Sequence, residues 1–508
     1  MNFRQYPNII KIRIPGNIGL STNNFTGAFS NMANLQYLYI DKNIENQITT
    51  LSDSGRVGLC DNSPSLIESP ICGPNVISMD YAYANCTNLT TAVCGNKVTH
   101  MLYAYANCTN LTTAVCGPNV TDMSKAYRGC INLTTAVCGP NVTDMSNAYR
   151  SCANLTTAVC GDKVTNMSCA YDSCFNLTTA VCGPNVTDMS NAYRGCDLTT
   201  PVCGPNVTDM CRAYRDCFNL TTAVCGPNVT NMSETYYRCD KLTTPVCGPN
   251  VTNMTGTYNC CSNLTTAVCG DKVLDMTETY ASCLTLTTAV CGPNVTGMNH
   301  SYSNCRNLTT AVCGPNVTVM TRTYYNCTNL TTAVCGDKVT DMTNTYRSCN
   351  RLTTAVCGPN VTTMLNTYYR CTNLITPVCG NKVTNMLWAY SGCTNLRSAV
   401  FGPNVTNISH AYHECDKVKG NCYVPSKTIT DASSCITRRF TDSAVNIYIN
   451  NDTNTIKVFT LTDKLHSITG TDITWTNDST NNRYYNAQAN IYIYPVANVE
   501  QAKANNGD

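Results

Sequence analysis

A phrase of 22 residues, NLTTAVCGPNVTDMSKAYRGCI at Asn110–Ile131, returns in close copies from about Ile67 to Cys415, and no other feature constrains the chain as strongly. Repetition with a period of about 20 to 50 residues marks a solenoid, in which each unit buries its apolar stripe only against its neighbours. The register is read directly. The first cysteine of each unit falls at 72, 94, 116, 138, 160, 182, 203, 225, 247, 269, 291, 313, 335, 357 and 379, with Phe401 in the sixteenth slot. Every step is 22 except one of 21, where Cys196-Asp197-Leu198 is short between Cys and Leu. Parallel columns run from Met79 to Met386 and on to Ile408, from Tyr83 to Tyr412, and from Cys86 to Cys415.

A solenoid grows by adding coils, so 508 residues predict one elongated body and not several ordinary domains. The net charge of +2 gives no footprint for a polyanion or for electrostatic adhesion to a bilayer, which argues against nucleic acid. There is no run of about 18 apolar residues, so no transmembrane helix and no membrane insertion are expected. The opening MNFRQYPNIIKIRIPG has too short an apolar segment and too early a proline for a secretory signal.

Thirty-seven cysteines would ordinarily suggest a disulfide scaffold, but thirty-one of them occupy two fixed positions of the repeat, alternately 14 and 8 residues apart. Cysteine packs as a small hydrophobe, so reduced core thiols are the expectation. Zinc is disfavoured because C-x2-C pairs are absent, and no metal or cofactor is expected.

Leu35, Leu38 and Ile40 in NFTGAFSNMANLQYLYI show the L-x-x-L-x-I spacing of a short strand whose alternate residues point inward. Aligning Leu35 with Leu111 places Ala114 and Cys116 on the core side, and Thr112, Thr113 and Val115 outside. Gly117-Pro118-Asn119 is expected to close the strand as a turn, Gly through φ > 0 and Pro through its fixed φ. TDMSKAYRGC then returns as a short helix or turn, capped by Asp or Ser, with Met123, Ala126 and Tyr127 sharing a buried face and Cys130 also inward.

The order A-Y-x-x-C-x-N-L-T-T-A-V-C-G-P-N-V-T-x-M resembles the BspA-type leucine-rich repeat, A-F-x-x-C-x-x-L-T-S-V-x-I-P-x-x-V-T-x-I; the related mycoplasma-type surface repeat carries V-T-x-M. The resemblance covers roughly residues 8 to 435. It implies a horseshoe or arc-shaped solenoid with a parallel β-sheet on one face and short helices or turns on the other. It also implies the company of cell-surface adhesion proteins of bacteria and some protists. This chain departs from the pattern by placing Cys for the last strand aliphatic, Ala or Pro (Pro201, Pro245, Pro377) for the middle one, and Tyr for the helical-side Phe. These changes narrow the core.

The expected organisation is an N-terminal cap with degenerate repeats over 1–40, including an earlier strand at Ile10, Ile12 and Ile14, and an insertion loop over 41–66, marked by Asp53-Ser54-Gly55 and Asp61-Asn62-Ser63-Pro64. About sixteen repeats follow over 67–415, then a degenerate last repeat over 416–435. Residues 436–508 read as a β-rich C-terminal cap, attachment or oligomerisation module. Its strands are expected around Val445, Ile447 and Ile449, around Ile456, Val458 and Leu461, and at Ile491–Tyr494.

The outward ladders are the candidate binding face: Thr91, Val93, Thr113, Val115, Thr135, Val137, Thr157, Val159, Thr179 and Val181. At about 4.8 Å per strand such a face runs some 75 Å, nearly uncharged. Thr and Val are also simply good strand formers. The Tyr column, with pairs beginning at 236, 324 and 368, reads as core whose hydroxyls reach water or a carbonyl, in preference to a sugar-stacking platform. Arg128, Arg150, Arg194, Arg215 and Arg238 read as a solvated edge. Asp122, Asp144, Asp188 and Asp209 read as caps and not as a Ca²⁺ site, because Asn166 and Asn231 interrupt their column. His100, His300, His410, His413 and His466 are scattered, and periodic residues do not assemble the distinct roles of an active site. The expectation is a non-enzymatic adhesin or receptor-binding solenoid that recognises a cell-surface protein or glycan. Without a leader or sorting tail, a phage or virus appendage fits. The alternative is a structural spacer or decoration protein.

Overall fold

The computed structural model describes residues 3, 5, 6, 8–16, 27–52, 57–68, 72–426, 428–437, 444–450, 475–486 and 490–506. The chain falls into two compact units, Met1–Val251 and Thr252–Asp508.

The first unit opens with strands β1 (Lys11–Ile14) and β2 (Tyr37–Ile40), paired in parallel so that Ile12 lies opposite Leu38 and Ile14 opposite Ile40. Helix α1 (Lys42–Glu45) follows, with Asp41 capping it by accepting the Asn43 N–H at 2.9 Å. From there on the 22-residue phrase forms one coil per copy. Leu111, Val120, Met123, Ala126, Tyr127 and Cys130 are fully enclosed and Ala114 nearly so.

The expected sheet face is not a continuous sheet. Within the array of this unit the coils meet in parallel at single positions, Thr113 to Thr135 to Thr157 and Asp122 to Asp144 to Asn166. The reason lies in the tyrosine column. The Tyr127 hydroxyl donates to the Val115 carbonyl at 2.5 Å and accepts the Val115 N–H at 2.9 Å. Tyr105 does the same to Val93, Tyr149 to Val137 and Tyr171 to Val159. Each coil thus satisfies, through its own side chain, the backbone groups that a strand would offer its neighbour. Where the hydroxyl is missing, true strands form. In the cap the tyrosine position is taken by Phe29 and then Cys60, as their bonds to Leu59 and Ala82 carbonyls show, and β1 and β2 pair over four residues.

The return side is a run of turns and not a helix. Ala126 N–H bonds to Met123 O, Arg128 to Lys125 and Cys130 to Tyr127, while Lys125 (φ 58°) and Gly129 (φ 76°) are left-handed. A positive φ every fourth residue excludes an α-helix. The intervening N–H groups of Met123, Lys125, Tyr127 and Gly129 reach carbonyls of the next coil at 2.8–2.9 Å. Asp122 caps this run by accepting the Ser124 N–H at 2.7 Å, and Asn166 serves Ser168 alike at 2.9 Å.

Gly117 does not owe its place to a positive φ. A Cβ at Gly139, its counterpart one coil on, would lie 2.8 Å from Cys116 Sγ and 2.9 Å from the Gly117 carbonyl. The thiol of one coil therefore occupies the space that a side chain on the next would need. Cys116 itself is half-buried, a correction to its assignment as full core: its sulfur lies 3.4 Å from Met123 Sδ at the edge of the coil. The second cysteine column is the enclosed one, and there the thiol is a donor. Cys130 Sγ bonds to Tyr105 O and Cys152 Sγ to Tyr127 O, both at 3.1 Å. Tyrosine rings stack from coil to coil, Tyr105 on Tyr127 at 5.6 Å and 6°. Residues 57–66, expected to loop out, instead complete a coil: Leu59, Cys60 and Leu66 are fully buried, and Ser63 Oγ donates to Phe29 O as the later cysteines do. Asp53, Ser54 and Gly55 lie outside the described residues.

The second unit repeats the same coil. Its tyrosines, from Tyr258 to Tyr412, stack likewise, and Thr279 in the alanine slot is buried because its hydroxyl meets Met254 O and Met276 O at 2.9 and 2.8 Å. It closes with a sheet of order β3-β4-β7-β6-β5, made of β3 (Gly420–Val424), β4 (Val445–Asn450), β5 (Thr476–Asp478), β6 (Arg483–Asn486) and β7 (Ile491–Val496). β3, β4 and β7 run parallel, with Cys422, Ile447 and Ile493 buried in one row and Tyr423, Tyr448 and Tyr494 stacked on the other face. The sheet begins inside the segment expected to be a last degenerate repeat. Ile436 replaces tyrosine in the column after Tyr412, so the hydroxyl clamp is gone and β3 is free to pair over five residues. Helix α2 (Val499–Asn505) is capped by Asn498. The strand expected at Ile456, Val458 and Leu461 lies outside the described residues.

Candidate binding surface

Thr91, Thr113, Thr135, Thr157 and Thr179 are exposed, in register, and so are their neighbours Thr112, Thr134, Thr156 and Thr178. Val93, Val115, Val137, Val159 and Val181 are half-buried, because the tyrosine hydroxyl that grips each valine's backbone draws it toward the coil. The presented surface is therefore a double threonine column, with valine as its margin. No charged side chain stands in either column between Thr90 and Thr376.

A second polar strip follows the Gly-Pro-Asn turn. Thr99, Thr121 and Thr143 donate their hydroxyls to the Ile77, Thr99 and Thr121 carbonyls at 3.1–3.2 Å, and Asn119 and Asn141 donate to Asn96 O and Pro118 O. Lys97 and Lys163 are tied to Asn75 and Asn141 at 2.8 and 2.6 Å. These residues line an open groove of about 620 Å³. The threonine hydroxyl protons are spent between coils, so these oxygens face a partner as acceptors, while Lys97, Lys163 and the asparagine amides keep further N–H donors.

The tyrosine column cannot serve as a stacking platform for sugars, since Tyr83, Tyr105, Tyr127 and their successors are wholly enclosed. Nor do the thiols of the two repeat columns suit a nucleophile's role. Burial pushes Cys116 and Cys130 up to about 12 and Cys94 to about 11. Reactive cysteines need the opposite shift. Of the arginines expected on a solvated edge, Arg150 pairs with Asp172 at 3.0 Å, and Arg215 with Glu234. A further core column, absent from the expected set, is that of Val120, buried in every coil and marked in the sequence by its recurrence at a fixed offset. No described helix is long and apolar enough to cross a membrane.

The family model described as the BspA type leucine rich repeat region matches six copies, over residues 75–200, 168–287 and 276–387. Among solved structures, a leucine-rich repeat protein from Bacteroides ovatus is 16% identical, with 64% of this chain and 81% of that chain covered and a TM-score of 0.49. A leucine rich cell surface protein from Faecalibacterium prausnitzii is 18% identical, covers 64% and 86%, and has a TM-score of 0.40. No curated protein matches the chain.

Proposed function

The chain belongs to the BspA-type leucine-rich repeat family, and from that premise we propose that it is a non-enzymatic adhesin or receptor-binding solenoid, displayed on a cell or virion surface, that recognises a cell-surface protein or glycan. The double threonine column carries this reading. It is long, uncharged and exposed, and its backbone is held in place by hydrogen bonds within each coil, so little ordering entropy is lost when a partner docks.

Replacing Thr113, Thr135 and Thr157 together by Lys tests it. The positions are exposed, so stability is expected to change by less than about 0.5 kcal/mol per site. Saturable binding of the labelled protein to a panel of cells and to a glycan array is expected to fall at least about tenfold, through lost contacts and unpaired charge. Unchanged binding would remove the face from the argument. Absence of saturable binding in the parent protein would favour a structural spacer.

A further inference from the structure

The single 21-residue step breaks the monotony of the first unit, and the structure shows which position was lost. Asparagines after the second cysteine column form a ladder, in which Asn154 Nδ2 donates to Asn132 Oδ1 and Asn176 Nδ2 to Asn154 Oδ1, both at 3.3 Å. Asn219 donates to Asp197 in the same way, so Asp197 fills the asparagine slot and the deleted residue is the one before it. In the preceding coil that slot holds Phe175, and in the following coil Phe218.

Both phenylalanines are exposed, 58% and 44%, and they line one notch of about 410 Å³, within the roughly 300–1,000 Å³ typical of small-ligand sites. The coils that carry them are two spacings apart, and along the tyrosine stack those spacings are 5.4 and 5.8 Å. A ring in contact with two ring faces needs about 7–8 Å between them, less than the two spacings together, and Phe175 narrows the gap by leaning into it: its Cε1 lies 3.6 Å from where a Cβ on Gly195 would stand. Gly195, at φ 73°, adds no side chain to the floor.

The notch also carries polar groups that the fold leaves unfinished. Asp197 is exposed on its rim. Asp216 is flanked by Arg238 at 3.4 Å and Arg215 at 3.5 Å, yet Asp216 Oδ1 and Arg215 Nε are buried without a hydrogen-bond partner. Arg238 in turn lies over the Phe218 ring at 5.2 Å and steadies it. The inner oxygen of Asp216 is shut off from the notch, but 21% of the side chain is exposed there, so its carboxylate still presents an acceptor to an incoming hydroxyl.

We propose that the notch between Phe175 and Phe218 binds the ring of a neutral hexopyranose, its C–H faces against the two phenyl rings and its hydroxyls donating to Asp197 and Asp216. The proposal deepens the reading above and rests on it for the class of partner. A hexopyranose offers apolar faces and several O–H donors together, whereas a phenyl side chain would stack but leave both carboxylates unserved.

Saturation-transfer NMR on the full chain, with methyl α-glucoside, methyl α-mannoside, methyl β-galactoside and N-acetylphenylalanine amide as probes, tests it. At least one methyl hexoside is expected to bind, and Phe175→Ala and Phe218→Ala are each expected to weaken it at least about tenfold. Inserting one Ala between Cys196 and Asp197, which restores the 22-residue step, is expected to abolish binding. Should that variant misfold, the two substitutions at exposed positions decide alone. No hexoside binding, binding indifferent to both substitutions, or binding of the phenylalanine amide alone would overturn the proposal. Cell binding that falls with the threonine substitutions but ignores Phe175→Ala would overturn it while leaving the surface reading intact. Hexoside binding lost in Phe175→Ala, with no cell binding by the parent protein, would support it and sink the surface reading.

Discussion

Raised above about pH 9 with reductant present, the protein is expected to unfold steeply, and the cause is its enclosed cysteines. In an unfolded chain these thiols ionise around 9.0, whereas burial pushes Cys86, Cys130 and Cys217 in the first unit, and Cys305, Cys371 and Cys435 in the second, up to about 12. Between these pH values the unfolded state binds fewer protons than the folded one, so stability falls as pH rises. Their contribution is fully present below pH 9 and is lost as pH climbs toward 12. Each thiol costs about 1.4 kcal/mol per pH unit in that window, so the three in each unit cost about 4 kcal/mol per pH unit. Set against a stability of about 5–10 kcal/mol, the lower part of the usual range, this places the midpoint between about pH 10 and 12. Circular dichroism followed against pH checks it. The stacked tyrosines, also held above their ordinary range by burial, should show phenolate absorbance only as the fold is lost. Native spectra persisting at pH 12 would mean that the thiols are not enclosed.

The second large effect is expected at Tyr127. Phenylalanine there keeps the ring and its stacking at 5.6 Å on Tyr105 and Tyr149, but removes the hydroxyl that serves both the N–H and the carbonyl of Val115. Losing the partner of half-buried backbone groups costs about 1–3 kcal/mol. Alanine removes the enclosed ring as well and should cost about 3–5 kcal/mol. Denaturant midpoints give both numbers, and amide exchange at Val115 separates the causes. Faster exchange in Tyr127→Phe identifies the clamp. Unchanged exchange and stability would show that Val115 has found a partner in the adjoining coil, and would undo the explanation of why the array lacks a continuous sheet.

That explanation marks the limit of what the residues disclosed before the structure. Period, register and the inward set Leu111, Ala114, Met123, Tyr127 and Cys130 followed from spacing, because a repeated unit exposes its own alignment. The capping of the return run by Asp122, and the reach of the tyrosine hydroxyl to a carbonyl, followed from side-chain chemistry. Strand pairing did not follow. Threonine and valine predict strands on propensity, but the competition for Val115 comes from a residue twelve positions on, and propensity is blind to it. The role of Gly117 was misread for a related reason: the crowding atom is a sulfur 23 residues away from Gly139, not a local φ. The shortened coil at Cys196 was visible as a spacing defect. Its meaning required the asparagine ladder, which shows that Phe175 and Phe218 face a missing neighbour.

The central claim is that short coils shelter one another's thiols in reduced form, leaving only the exterior for contact. Thiol labelling at neutral pH, without reductant, before and after denaturation, tests it most directly. The account predicts that the enclosed column, Cys130 and its counterparts, stays unlabelled in the native protein and that all 37 cysteines react once the chain is unfolded. Rapid native labelling of that column, or a denatured chain in which most sulfurs still fail to react, would contradict it.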